Sequence, residues 1–129
     1  MTKTIFAGLA VVAATALTPQ IAAAQSAADV YKDRTVTILV GYGAGGTYGQ
    51  TSLLLARSMG KHIPGNPNVI VQHMPGAGGL KATNYAAKVM PKNGHNLLMP
   101  PEMSVVSELL RPKKVRYKTT DFTWLGVVF

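Results

Sequence analysis

A strand, a glycine-rich turn and a helix follow one another within the stretch Val36–His62, and this order constrains the fold most. Val36, Ile38 and Val40 alternate with neighbouring residues at a spacing of two, which predicts a β-strand. Gly41–Gly46 (GYGAGG) then frees the backbone to turn, and apolar residues up to Met59 predict a helix. A glycine turn between a strand and a helix aims free backbone N–H groups, and the positive end of the helix dipole, at a bound anion. The stretch is therefore typical of an anion site, although a tight turn alone would need the same glycines.

Two kinds of anion compete for this turn. Gly41, Gly43 and Gly46 match the dinucleotide pattern G-x-G-x-x-G. That function also requires an acidic residue about 20 positions later, to hold the ribose. No Asp or Glu occurs between Asp33 and Glu102. A dinucleotide is thus excluded, and a smaller carboxylate or phosphate remains.

The same unit occurs a second time. Val69–Val71 predicts a buried parallel strand, Met74–Gly79 is a second glycine turn, and Leu80–Met90 predicts a helix. Further along the chain we predict a strand at Asn96–Met99, a helix at Ser104–Leu110 with Ser104 near its N-cap, and a fourth strand at Phe122–Val128. This alternation predicts an α/β fold with a mainly parallel sheet. Both glycine turns and the loop Pro100–Ser104 should lie at the carboxyl edge of the sheet, where ligands bind in such folds.

The start of the chain predicts export. Within Met1–Ala24, Lys3 supplies a positive charge, Ile5–Leu17 is a short apolar run, and Ala22–Ala24 fits a cleavage site. The apolar run is shorter than the roughly 20 residues that span a bilayer, which disfavours a membrane anchor. We therefore expect a signal peptide over residues 1–24, cleaved near Ala24, and a periplasmic domain over residues 25–129. The chain has no cysteine, which excludes disulfides and thiolate metal sites.

Positive charge is concentrated near the end of the chain. The formal net charge is +8, and Arg111–Lys118 (RPKKVRYK) holds five basic residues and no acid. A solvated loop is the simplest interpretation. The alternative function is a small basic exported module that binds an anionic polymer or surface through Arg111–Lys118. We expect no nucleic-acid partner, because the chain is exported and only Tyr117 is interleaved among the basic residues.

Catalytic groups are sparse. His62, His73 and His95 are scattered and have no nearby acid to orient them. The serines lack the sequence context of a nucleophile, and the few glutamates do not form an acid–base pair. We predict no enzymatic activity, no metal site and no cofactor. An enzyme would require catalytic groups from a part that this chain does not contain.

Four segments resemble one protein family in order and at family spacing. They are Tyr31–Ile38 (YKDRTVTI), Gly45–Thr47, Met74–Gly79 (MPGAGG) and Asp121–Trp124. Together they are similar to the N-terminal part of the substrate-binding proteins of tripartite tricarboxylate transporters, the Bug family. Lys61–Pro67 resembles a subgroup of that family.

The resemblance implies an exported receptor with the two-lobed, type II periplasmic binding protein fold, which holds a small organic acid between its lobes and delivers it to membrane transporter subunits. Family members are much longer, so we expect this chain to be a partial first lobe without the second. By resemblance the ligand-binding residues are Tyr42, Ala44, Gly45, Gly46, Thr47, Tyr48, Ala77, Gly78 and Gly79.

Three positions depart from the family pattern. Gly49 and Leu53 stand where relatives commonly have Asp and Arg, and His73 stands where Asn is frequent. Because Gly49 has no side chain to cap the helix, we expect Thr47 or Thr51 to do so, or the helix start to fray.

Overall fold

A computed structural model describes residues 26–128. The predicted signal peptide therefore lies outside the described residues, as do Gln25 and Phe129. The helices and strands in chain order are α1 Ala27–Tyr31, β1 Thr35–Val40, α2 Thr47–Met59, β2 Asn68–His73, α3 Leu80–Lys88, β3 Asn96–Met99 and α4 Met103–Leu110. Short 3₁₀ turns occupy Gly60–His62, Ala77–Gly79 and Thr119–Asp121.

The three strands form one parallel sheet in the order β2–β1–β3. The central strand β1 pairs along its whole length with β2, from Thr35 opposite Asn68 to Val40 opposite His73. Its later half pairs with β3, ending with Val40 opposite Met99. The α/β class and the parallel sheet predicted from the sequence are confirmed, and the architecture is compatible with part of a binding-protein lobe.

Helices cover both faces of β1. On one face, Ile38, Val40 and Met99 form a buried cluster against which residues of α2, such as Leu55, pack. On the other face, Leu39 packs with Ala82 and Ala86 of α3. Residues that alternate along β1 therefore serve opposite layers, as the period of two requires. Burial on both faces makes β1 the rigid element that aims the turn following it.

The predicted fourth strand at Phe122–Val128 is wrong. Within residues 26–128, three strands pair, and this segment is irregular chain without a ladder partner. Its Trp124, Leu125 and Val127 side chains are exposed. An apolar, β-branched run predicts a strand only if a neighbouring strand is available to pair with it.

Several smaller expectations also need correction. Strand β2 is longer than predicted and half-exposed in alternation, because it is an edge strand and not a buried one. Helix α2 begins at Thr47, well before the predicted apolar run. Helix α4 begins at Met103, one residue earlier than predicted, and its N-cap residue is Glu102. Ser104 lies near the N-cap, but no side chain caps the helix. The short helix α1 is an additional element that precedes β1.

The segment after α4 is tied back to that helix by polar contacts. The buried Tyr117 hydroxyl donates to the Ser104 carbonyl at 2.8 Å. The Glu108 carboxylate accepts from the Thr119 backbone N–H at 2.9 Å and from its hydroxyl at 2.7 Å. The Trp124 indole N–H in turn donates to the Thr119 carbonyl at 3.1 Å. Thr119 therefore links the α4 carboxylate to the single tryptophan of the chain.

The Glu108 contact predicts a pH dependence. The hydrogen bonds from the Thr119 hydroxyl and N–H lower the pKa of Glu108 below its ordinary value. A carboxyl whose folded pKa is depressed contributes stability above its unfolded pKa of about 4.3, and this contribution is lost as the pH falls through the folded value. We expect Trp124 fluorescence to change below about pH 4.3, because protonation of Glu108 weakens its hydrogen bonds with Thr119.

Glu108→Gln preserves the side-chain shape but does not titrate, so it should flatten this fluorescence transition. Glu102→Gln, which changes an acid just before α4, is the matched control and should keep the wild-type profile. Equal profiles for wild type and Glu108→Gln would contradict the assignment.

Candidate functional site

Loops from all three strands meet at the carboxyl edge of the sheet. In the order β2–β1–β3, the connection from β1 runs to β2 on one side, and the connection from β2 crosses β1 to reach β3 on the other side. This reversal creates a topological switch point between β1 and β3. In open α/β sheets, ligands bind in the crevice outside such a point. The turn after β1 and the Pro100–Glu102 segment after β3 flank this position. The sheet order, which the sequence did not reveal, thus places a candidate site between them.

The loops are held together by direct contact between backbones. Gly41 is buried, and a Cβ atom on it would lie 2.7 Å from the Gly79 Cα. On its other side Gly79 meets the Pro101 ring, whose Cγ would lie 2.5 Å from an added Cβ. Gly79 also has a φ of +85°, which favours glycine. The loops that follow β1, β2 and β3 are therefore packed against one another at Gly41, Gly79 and Pro101, and we call this contact the junction.

Two tyrosines extend this junction outward. The Tyr42 and Tyr48 rings stack, with centroids 4.9 Å apart and planes 25° from parallel. The Tyr42 hydroxyl donates to the Gly78 carbonyl at 3.3 Å, and the Tyr48 hydroxyl accepts from the Glu102 N–H at 3.2 Å. The pair thus connects the first turn with the second turn and with the loop after β3.

Two of the three departures from the family pattern, His73 and Gly49, have local explanations. His73, at the end of β2, places its Nδ1 atom 2.9 Å from the Tyr42 carbonyl and so ties the two turns together. Gly49 is buried beneath the first turn, where a Cβ atom would lie 2.4 Å from the Gly43 carbonyl oxygen. An Asp at position 49 would not fit this turn.

The start of α2 leaves backbone N–H donors without acceptors at the carboxyl edge of the sheet, among residues 26–128. Gly46 is the N-cap residue, and neither Thr47 nor Thr51 makes the predicted capping bond. The side chain of Gln50 donates instead to the Ala44 carbonyl at 3.0 Å, which closes the turn. Within residues 26–128, the backbone N–H groups of Gly45 and Thr47 have no acceptor. Such groups at a helix N-terminus favour an anion.

The predicted ligand-binding residues fall into three groups. The crevice at the first turn is lined by Tyr42, Gly43, Gly45, Gly46, Thr47 and Tyr48, so sequence reasoning omitted Gly43. Ala77 and Gly78 line a neighbouring groove that shares Tyr42 as a wall. Ala44 and Gly79 line neither cavity, since Ala44 faces Gln50 and Gly79 is buried against Pro101. Contact of any of these residues with a ligand stays a prediction.

The described histidines and acids do not assemble into a metal site. Within residues 26–128, no three His, Asp or Glu side chains lie close enough to share an ion. His95, for example, places Nε2 3.0 Å from the Val30 carbonyl and packs against the Tyr31 ring. None of the helices in this part of the chain is both long and apolar enough to cross a bilayer.

Comparison with known proteins identifies a relative of this chain. The chain is similar to a UPF0065 protein. This relative is encoded in the TAR-I ttuE-ttuC' intergenic region of Agrobacterium vitis and is 32% identical over 120 residues, or 93% of this chain. The chain spans about a third of the length of that UPF0065 protein. UPF0065 designates the Bug family, so the match supports the resemblance at a coarse level. No protein-family model and no solved structure matches the chain.

The backbone contact at Gly41 predicts a strong effect of one methyl group. Gly41→Ala places that methyl against the Gly79 backbone, which cannot rotate away as a side chain could. We expect the free energy of unfolding to fall by about 1–3 kcal/mol, as for other overpacked sites. Urea denaturation measures this loss.

Gly43→Ala is the matched control in the same turn, because an added Cβ meets no atom within 4 Å. Its stability should stay within about 0.5 kcal/mol of wild type. Equal stability of the two variants would show that the turns do not pack as described.

Proposed function

We propose that this chain forms one wall of a carboxylate-binding site in an extracytoplasmic solute-binding receptor that serves a tripartite tricarboxylate-type transporter. The observation that carries the proposal is the junction at the carboxyl edge of the sheet. There, the unpaired N–H groups of Gly45 and Thr47, and the N-terminus of α2, border a crevice. The similarity to the UPF0065 protein supports the same class of function.

The chemistry at this edge suits binding and not turnover. The residues that line the crevice contribute backbone amides, one threonine hydroxyl and two stacked tyrosines. Backbone N–H groups hold a carboxylate through hydrogen bonds to an ionised acceptor, which are stronger than neutral ones. A receptor role requires reversible capture, and no covalent step is proposed. Periplasmic location and contact with membrane subunits are part of this proposal.

A single wall leaves much of a ligand in water, and water competes for the same hydrogen bonds. We therefore expect carboxylates to bind this chain weakly, with dissociation constants in the millimolar range and about 4 kcal/mol of binding free energy. Calorimetric titration with a panel of mono-, di- and tricarboxylates measures this affinity. Submicromolar binding would show that the whole site lies within this chain.

A charge placed in the turn tests the location. Gly45→Asp adds a carboxylate beside the crevice, where an added Cβ meets no atom within 4 Å and an acid near a helix N-terminus favours folding. Repulsion between like charges at close range should weaken carboxylate binding at least fivefold, an effect of about 1 kcal/mol or more.

Ala27→Asp makes the same charge change in α1, which leads into the opposite, amino end of β1, and should leave binding unaltered. Carboxylate binding that is indifferent to Gly45→Asp would contradict the proposed location. Binding of an anionic polymer that is steeply salt-dependent, and is abolished by joint replacement of Lys113, Lys114 and Arg116 with Ala, would favour the basic module instead.

A further inference from the structure

The groove beside the crevice, lined by Tyr42, Ala77, Gly78 and residues of α4, differs in chemistry from the glycine turns. This difference indicates which kind of ligand the surface would bind. One side is formed by Tyr42, Ala77 and Gly78, and the other by one face of α4. Within residues 26–128, the N–H groups of Ala77 and Gly78 have no acceptor. Since Tyr42 also lines the crevice, the groove and the crevice are adjacent halves of one surface.

The α4 side of the groove is mainly apolar, with Ser107 as its one hydroxyl-bearing residue. Met103, Val106 and Leu110 line it and follow one another at spacings of three and four, so they share one face of the helix. Their side chains are 54%, 36% and 74% exposed. These residues present an apolar wall toward the second glycine turn, where the Tyr42 ring forms the facing surface. A ligand with a flat apolar body would cover such a wall.

The groove is also lined by one cationic side chain, that of Arg111. Arg111 directly follows α4 and is the charged residue among those that line either cavity. Its backbone N–H bonds to the Ser107 carbonyl at 2.9 Å. Its guanidinium makes no hydrogen bond or ion pair with any other residue of 26–128, and the lining of both cavities contains no acid. One positive charge on this surface balances one carboxylate.

We propose that Arg111 is the charge-pairing residue of this surface, and that the ligand is a monocarboxylate with an apolar, ring-sized body. This inference rests on the proposed function and narrows its substrate class. The carboxylate lies beside Tyr42, where the crevice and the groove meet. The guanidinium binds it from the groove side with planar, two-point geometry, and the amides of Gly45 and Thr47 face it from the crevice side. The amides of Ala77 and Gly78 assist it, and Val106 and Tyr42 hold the ring. A tricarboxylate would bring three negative charges to one cation and leave two of them unpaired against an apolar wall.

The test uses the purified chain at 150 mM salt with three probes: phenylacetate, acetate and citrate. At this ionic strength, distant surface charges are largely screened. Phenylacetate should bind at least fivefold more tightly than acetate, because the two share a carboxylate and only phenylacetate carries a ring. Citrate should bind more weakly than phenylacetate. Tighter binding of citrate, or equal binding of phenylacetate and acetate, would overturn the inference.

Two variants with the same net charge distinguish a specific role of Arg111 in the groove from a general effect of the basic run Arg111–Lys118. Arg111→Gln should weaken phenylacetate binding about threefold or more, the effect of losing one partly solvated ion pair. Lys113→Gln removes the same charge two positions away and should leave the affinity unchanged. Thermal unfolding of both variants checks that α4 is intact. Equal effects of the two variants would overturn the role of Arg111.

The outcomes also separate this inference from the proposed function. Binding that responds to Gly45→Asp but not to Arg111→Gln would sustain the carboxylate site and overturn the pairing with Arg111. If none of the three probes binds at millimolar concentration, both proposals fail.

Discussion

The contact between the backbones of Gly41 and Gly79 is the constraint on which the rest of this structure depends. It brings the turns after β1 and β2 together at a separation that no side chain would permit. Pro101 packs on the far side of Gly79 and adds the loop after β3. A rigid parallel sheet aims all three loops in one direction, so a single junction gathers elements that lie far apart in sequence. The crevice and the groove exist because this junction is compact.

The polar contacts around the junction fix its outer parts. His73 contacts the Tyr42 carbonyl, the Tyr42 hydroxyl donates to Gly78, and Tyr48 joins the loop after β3. Each contact links two different loops, so the ring pair is held from several directions. Such cross-linking preorganises a surface and lowers the entropy that a ligand would otherwise have to overcome on binding. Within residues 26–128, the amides of Gly45 and Thr47 have no acceptor, and free donors of this kind are what a carboxylate requires.

Local patterns predicted much of this fold, and tertiary context explains the rest. Strand β3 was predicted with its observed bounds, and β1 was recognised, because alternation and turn signals are local. The edge position of β2 and the unpaired segment at Phe122–Val128 depend on which strands are neighbours, which no local pattern contains. The glycine turns were recognised as candidate sites. Arg111 was interpreted only as part of a basic run, because its place in the groove follows from the packing of α4 against the second turn.

A carboxylate that binds where the three loops meet would change the environment of the amides in those loops. Amide chemical shifts from ¹⁵N–¹H correlation spectra, recorded while phenylacetate is added to the labelled chain, detect this change residue by residue. We predict shifts concentrated at Gly43–Thr47, at Ala77–Gly79 and along the groove face of α4 as far as Arg111, with the amides of α1 unaffected. Shifts centred on residues 113–118, or spread evenly over the chain, would contradict it.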